Sequence, residues 1–351
     1  FMIIEDNFFL IIFFSIIIST IILYIFKKNH ILIDKTFFSN HKKLINSSLK
    51  SPPLCGGLII FICSLFFFKE SILLNLFGLS FLILGIFSDS NKISSPKIRL
   101  VLQIILLLSF VLLIDLRIND VRVDFLNKLL NINLISIIFT IFCILVLMNG
   151  SNFLDGINTL LLGYYILVCC FLIFLSNEHN LIINQNIKLL LIFLIIIFLF
   201  NFFGKIFLGD SGAYLISFYV AFFVIDFSTK NASVSPYLIA FLLWYPAFEN
   251  LFSILRRVIE KRKVQEPDQN HLHQMFYNLL IKKKLINYKF VNTFTGLALN
   301  LFNFTVFINV YKYYSKVTLS RTDILVFGIV INIFVYLFLY FFIKKKLKHR
   351  E

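Results

Sequence analysis

Long apolar runs alternate with short polar connections from one end of the chain to the other. The runs recur at about 17 to 20 residues, a few slightly shorter or longer, the length that crosses a hydrocarbon core of about 30 Å. Eleven such runs are centred near 8–26, 54–68, 72–87, 99–116, 133–149, 159–176, 187–203, 212–227, 236–254, 291–311 and 324–343. A helix is the open-ended structure that satisfies its own backbone in lipid, and these runs are too long and too continuously apolar for alternating barrel strands. The pattern therefore predicts an all-α fold: a polytopic integral membrane protein of about eleven transmembrane helices in a single membrane-embedded domain, residues 1–351. Glu5 and Asp6 lead the first run and no small-residue cleavage site follows it, so it reads as a retained span rather than a signal peptide.

Composition agrees: 59% of residues are hydrophobic and only 15% are charged, which excludes an ordinary soluble domain. Charge then orients the spans. Assigning alternate loops to opposite sides puts 24 of the 33 Lys and Arg residues on one side, which should be cytoplasmic. The N-terminus is then expected outside and the C-terminus in the cytoplasm. The richer loops are 27–53, 88–98, 149–158, 204–211, 256–290 and the basic tail after 343. The net charge of +15 is mostly this asymmetry plus attraction to anionic headgroups, and nucleic acid is excluded as a partner. Cys55, Cys63, Cys143, Cys169 and Cys170 lie in or beside spans without metal-like spacing and read as small buried hydrophobes.

Acids are costly in lipid, so those kept at span ends on the interior side are candidates for chemistry. Asp89 ends the third run, Asp155 follows the fifth and Asp210 precedes the eighth, all on the expected cytoplasmic face. Carboxylates converging there could hold a hard cation such as Mg²⁺; read singly, Asp155 and Asp210 could instead cap the helices that follow them. His271 and His273, in the long polar loop 256–290, suit a phosphate or a metal, with Asp268 beside them. Two residues apart, they share no helical face and fit a loop or helix start. Arg256 and Arg257 are explained by inside-positive anchoring, whereas Glu249, about two turns earlier, is not. Pro53, Gly56 and Gly57 mark a tight corner at the second run.

In order and in side, these elements resemble the polyprenyl-phosphate N-acetylhexosamine-1-phosphate transferases. The resemblance runs over about residues 34–280: the Pro/Gly-Gly corner at 53–57, the acidic end of the third run, Asn-x-x-Asn-x-x-Asp-Gly at 149–156, Gly-Asp-Ser-Gly at 209–212 and His-x-His at 271–273. It implies an eleven-span enzyme of a bacterial cytoplasmic membrane, with its active site on the cytoplasmic face. Such an enzyme moves a sugar-1-phosphate from a UDP-sugar to polyprenyl phosphate and starts the assembly of a surface glycan. The resemblance implies Asp210 as the magnesium ligand (Mn²⁺ also serving), and Asn149, Asn152 and Asp155 as the element beside nucleotide and metal. Asp89 matches the second acid of an Asp-Asp pair and would orient the lipid phosphate or act as base, and His271 and His273 would grip the donor phosphates. Lys42, Lys43 or Lys50 would meet the lipid phosphate, and a homodimer through lipid-facing helices is the expected assembly.

Three positions depart from the family pattern: Ser88 stands where a first paired Asp is usual, Asn158 where a second Asp is usual, and Gln274 where a further His is usual. A phosphate monoester is already largely ionised near neutral pH, so Ser88 is expected to mark a subfamily rather than a dead enzyme. Two other classes compete: a non-catalytic relative that binds lipid-linked sugars, and a secondary transporter. Transporters concentrate their polar residues at the bilayer midplane rather than at span ends. The residues after about 285 carry no chemical motif and read as packing spans and an anchoring tail.

Overall fold

A computed structural model describes residues 8–33, 52–68, 72–263, 270–284, 286–314 and 321–348. Among them the chain runs through α1 (Phe8–Lys28), α2 (Gly56–Phe67), α3 (Ile72–Asp89), α4 (Pro96–Ile114), α5 (Asp124–Leu130), α6 (Asn133–Leu154) and α7 (Leu160–His179). It continues through α8 (Asn186–Phe202), α9 (Gly209–Lys230), α10 (Pro236–Leu242), α11 (Trp244–Ile259), α12 (Leu272–Lys283), α13 (Val291–Tyr314) and α14 (Thr322–Lys348). The expected all-α fold is observed. Eight of these helices (α1, α3, α4, α6, α7, α9, α13 and α14) are long and apolar enough to cross a membrane.

Helical structure occupies each of the eleven expected runs, but not always as a full span. α2 has 12 residues. At 1.5 Å per residue that is about 18 Å, short of a hydrocarbon core of about 30 Å. α8 has 17. The run 236–254, expected to be one span, is broken: α10 and α11 meet at 72°. The break leaves backbone groups that lipid cannot satisfy, and α7 supplies the remedy. The Tyr164 hydroxyl donates to the Leu242 carbonyl at 2.7 Å and accepts the Tyr245 N–H at 3.4 Å, bridging both sides of the break.

α9 is the axis of the bundle. Its apolar window is 78% buried, against 22% for α1, α4 and α14, whose exposed Leu, Ile and Phe side chains form the lipid-facing surface. Small residues let neighbouring helices reach it. A Cβ on Gly57 of α2 would lie 2.6 Å from the Gly212 Cα, and one on Gly85 of α3 would overlap the Ser211 backbone. The Pro53–Gly57 corner is pinned to the segment entering α9, since Phe207 N–H donates to the Pro53 carbonyl and Gly56 N–H to the Phe207 carbonyl, both at 3.1 Å. Three close approaches thus converge on the first turn of α9, where Asp210 sits.

Candidate functional site

α9 begins at Gly209, whose φ of +75° is a conformation that suits glycine. An added Cβ there would also meet the Asp89 carboxylate, 2.5 Å from Oδ2. Asp89 closes α3 and caps α9 from outside: Oδ1 accepts the Asp210 N–H at 2.9 Å and Oδ2 the Ser211 N–H at 3.1 Å. Two amides of the first helical turn, at a positive helix end, thereby meet a carboxylate. The capping role weighed for Asp210 belongs to Asp89 instead, across two helices. Asp210 is left to project its own side chain, which is buried. Its Oδ2 accepts from the Ser88 hydroxyl and pairs with Arg99 Nη1 at 2.8 Å. Arg99, in the first turns of α4, also donates to Ser88 Oγ at 2.6 Å. Ser88 thus links the buried carboxylate to its counter-charge.

A second cluster surrounds the end of α6. Asn149 donates to the Leu145 carbonyl at 2.9 Å and reaches Gln103 of α4, one turn beyond Arg99, at 3.4 Å. Asn152 is half-buried one turn later, and Asp155 is the residue at which α6 stops. The turn that follows is clamped from two spans. Asn292 Oδ1 accepts the Asn158 N–H at 2.7 Å, Asn201 Oδ1 accepts the Thr159 N–H at 2.6 Å, and Asn300 donates to the Thr159 carbonyl at 2.8 Å. Asn292, Gly296 and Asn300 are spaced by four on one face of α13, and a Cβ at Gly296 would strike this turn. The Asp155 loop therefore owes its shape partly to a span that carries no family motif.

The histidines complete the site. His271 is the extended residue just before α12 and His273 lies in its first turn, so the two rings stack at 5.5 Å despite sharing no helical face. His271 also packs tilted against Phe153, ring centroids 4.8 Å apart, and the Arg257 guanidinium lies over that same ring. Its Nδ1 is 2.8 Å from Oε1 of the fully buried Glu249, whose Oε2 accepts from the Tyr336 hydroxyl of α14, also at 2.8 Å. Arg256 Nη1 holds the Asn270 carbonyl at 2.8 Å, with its guanidinium between Phe252 and Tyr340. A Cβ on Gly156 would lie 3.3 Å from His273 Nε2, which places the second imidazole over the Asp155–Gly156 turn.

Both ring nitrogens of His273 are buried without a hydrogen-bond partner. Burial pushes its imidazole down from the ordinary 6.5 to about 3, Glu249 opposing the shift and His271 adding to it. The ring is neutral when folded but protonates near pH 6.5 when unfolded, so the unfolded state holds the extra proton in between. Stability is then full above about pH 6.5 and falls as pH drops toward 3, by at most about 1.4 kcal/mol per pH unit from this group. Thermal unfolding of the detergent-purified protein at pH 7.5 and 5.5 should show the drop, and His273→Phe should shrink it.

The structure thus brings Asp89 and Asp210 together at α9 and sets His271 and His273 over the turn after Asp155. Lys42, Lys43, Lys50 and Asp268 lie outside the described residues. Residues not anticipated as part of the site are Arg99, Tyr336, Asn292 and Asn300. The available signal was polar side chains inside apolar spans, which turn toward the bundle interior. Among the described residues no three Asp, Glu, His or Cys side chains form a metal cage. The acidic set suits a hard cation of the Mg²⁺ type, which takes one or two carboxylates and completes its shell with phosphate oxygens and water.

Residues 71–228, which carry Ser88, Asp89, Arg99, Asn149, Asp155 and Asp210, match the model of glycosyl transferase family 4. The chain is 24% identical over 195 residues to a probable undecaprenyl-phosphate N-acetylglucosaminyl 1-phosphate transferase of Bacillus subtilis (strain 168), covering 55% of this chain and 54% of that protein. It is 25% identical over 256 residues to an undecaprenyl-phosphate alpha-N-acetylglucosaminyl 1-phosphate transferase of Thermotoga maritima, covering 71% and 77%. The chain thus spans about half the length of the first relative and about three quarters of the second.

Proposed function

On the match of residues 71–228 to glycosyl transferase family 4, we propose that this chain belongs to that family and transfers a sugar-1-phosphate from a UDP-sugar to a polyprenyl phosphate. The donor class is of the N-acetylhexosamine type, and the site faces the cytoplasm of a bacterial cell, the N-terminus lying outside. A phosphate oxygen of the lipid attacks the β-phosphorus of the donor, the bond from that phosphorus to the bridging oxygen breaks, and UMP leaves with the electron pair. The products are polyprenyl-diphospho-sugar and UMP. Positioning and charge stabilisation carry most of such a transfer.

The observation that carries the reading is the buried Asp210, presented at the first turn of the most enclosed helix within the segment that matches the family. Mg²⁺ at Asp210, joined by Asp155, would neutralise the donor diphosphate and the departing UMP. Asp89 acts by holding the α9 backbone so that the Asp210 side chain is free of the capping duty. Asn149 and Asn152 line the nucleotide side, and His271 and His273 meet the donor phosphates. Ser88 serves Asp210 as a hydroxyl donor in place of a second carboxylate. Ser88→Ala removes its hydrogen bonds to Asp210 and from Arg99 but leaves the Arg99–Asp210 pair, so turnover should fall about tenfold, the equivalent of roughly 1.4 kcal/mol, rather than vanish.

The test is UMP release by the purified protein from a panel of UDP-sugars, with and without undecaprenyl phosphate and with and without Mg²⁺. Release that needs lipid, metal and one sugar is expected. UDP-sugar binding without any release would identify a binding-only relative, and solute uptake into vesicles without release would identify a transporter.

A further inference from the structure

Among the described residues Glu249 is the most fully buried Asp, Glu, Lys or Arg, and no step of the transfer uses it. It has no exposed surface and lies just past the α10–α11 break. A carboxylate taken out of water costs several kcal/mol unless its oxygens find donors. Here both do, from different elements: Tyr336 of α14 on Oε2, and His271, just ahead of α12, on Oε1. Neither neighbour is idle packing. Tyr336 is itself buried and held edge-on by Phe248 and Phe252, and His271 is sandwiched between Phe153 and His273.

We propose that Glu249, braced by Tyr336, is a positioning residue that fixes the ring of His271 and reserves its Nε2 for the donor phosphates. A carboxylate oxygen can only accept, so the hydrogen of this contact sits on Nδ1, whether the ring is neutral or charged. The arrangement repeats the logic of an acid that holds a catalytic imidazole in one tautomer and orientation without reacting itself. Nε2 is then the nitrogen left for chemistry: it donates to a phosphate oxygen when protonated and accepts a proton when not. The contact with Phe153 ties this ring to the last turn of α6, just ahead of Asp155. Because Tyr336 belongs to the last span, well beyond the segment matching the family, α14 becomes part of the site. The role assigned to Nε2 rests on the proposed transfer; the hydrogen on Nδ1 does not.

Two measurements separate these. In the full-length protein labelled with ¹⁵N-histidine, His271 is assigned by the resonance lost in His271→Ala. Nδ1 should carry the hydrogen in wild type, and Glu249→Leu, which keeps the volume, should return the ring to an Nε2–H tautomer. An Nε2–H tautomer at His271 in wild type overturns the inference without reference to any activity or variant. In the UMP-release assay, Glu249→Gln and His271→Ala should each lower turnover about 10- to 100-fold, and the double variant should be no slower than His271→Ala alone. Tyr336→Phe should cost a smaller, several-fold loss that also disappears on the His271→Ala background. Losses that multiply would show that Glu249 merely supports the fold, and would overturn the positioning role. A wild type with Nδ1–H at His271 but no UMP release would sink the proposed reaction while leaving the geometry standing.

Discussion

Asp210→Asn is expected to lower UMP release about 10²- to 10³-fold, the scale seen when one preorganised stabilising group is removed from a transfer site. The substitution preserves shape: the Asn carbonyl can still accept from Ser88 Oγ and Arg99 Nη1, and the Asp89 cap on the α9 amides involves only backbone. What changes is charge. The carboxylate that suits a hard cation is gone, and Arg99 faces a neutral partner. Since the Arg99 side chain keeps 19% of its surface exposed, the unpaired cation can draw on water, so unfolding temperature should shift by only a few degrees. Turnover and thermal unfolding measured on the same preparation check this together. Near-normal turnover in a folded Asp210→Asn protein would remove Asp210 from the reaction.

Gly85→Ala should be among the most damaging single methyl additions in the chain. The new Cβ would overlap the Ser211 backbone and lie 2.8 Å from the Asp210 carbonyl carbon, and backbone in the most enclosed helix cannot swing aside. Overpacking of a close-packed interior costs about 1–3 kcal/mol, more when neither partner yields. The damage should reach function as well. Asp89 lies one turn beyond Gly85 on α3, so separating α3 from α9 draws the cap away from the Asp210 and Ser211 amides. Gly328→Ala is the control. Its nearest neighbours are side-chain atoms, the closest being Phe241 Cε2 at 3.3 Å, so a small adjustment accommodates it. A Gly85→Ala protein with wild-type melting and turnover would contradict the close approach of these helices.

Run length and continuous apolarity made most of the helices legible, because a segment in lipid must satisfy its own backbone and has few ways to do so. The break after Leu242 was not legible, since its backbone groups are satisfied by Tyr164, far away in sequence. Asp89 shows the same limit. As the last residue of an apolar run it looks reactive, and only the packing of α3 on α9 reveals the two amides it holds. The motif residues themselves were legible, since Asp210, Asp155 and the histidine pair stand in family order. Their supports were not: Arg99, Tyr336 and Asn292 belong to no motif and act across distances of 87 to 134 residues. The last two spans, expected to serve only as packing and anchoring, supply two of those three.

The 72° turn between α10 and α11 also separates two differently packed helices. Beyond it, α11 divides cleanly, with Glu249, Asn250, Ser253, Arg256 and Arg257 buried on one side and Leu251, Leu255, Val258 and Ile259 exposed on the other. The polar side faces protein and the apolar side faces outward, the pattern of a helix that packs its polar residues into a bundle in lipid. Because Glu249 and Arg256 hold His271 and Asn270 directly, the start of α12 is tied to the enclosed side of α11. A disturbance of the α10–α11 turn would therefore reach the histidine pair through side chains as well as along the backbone.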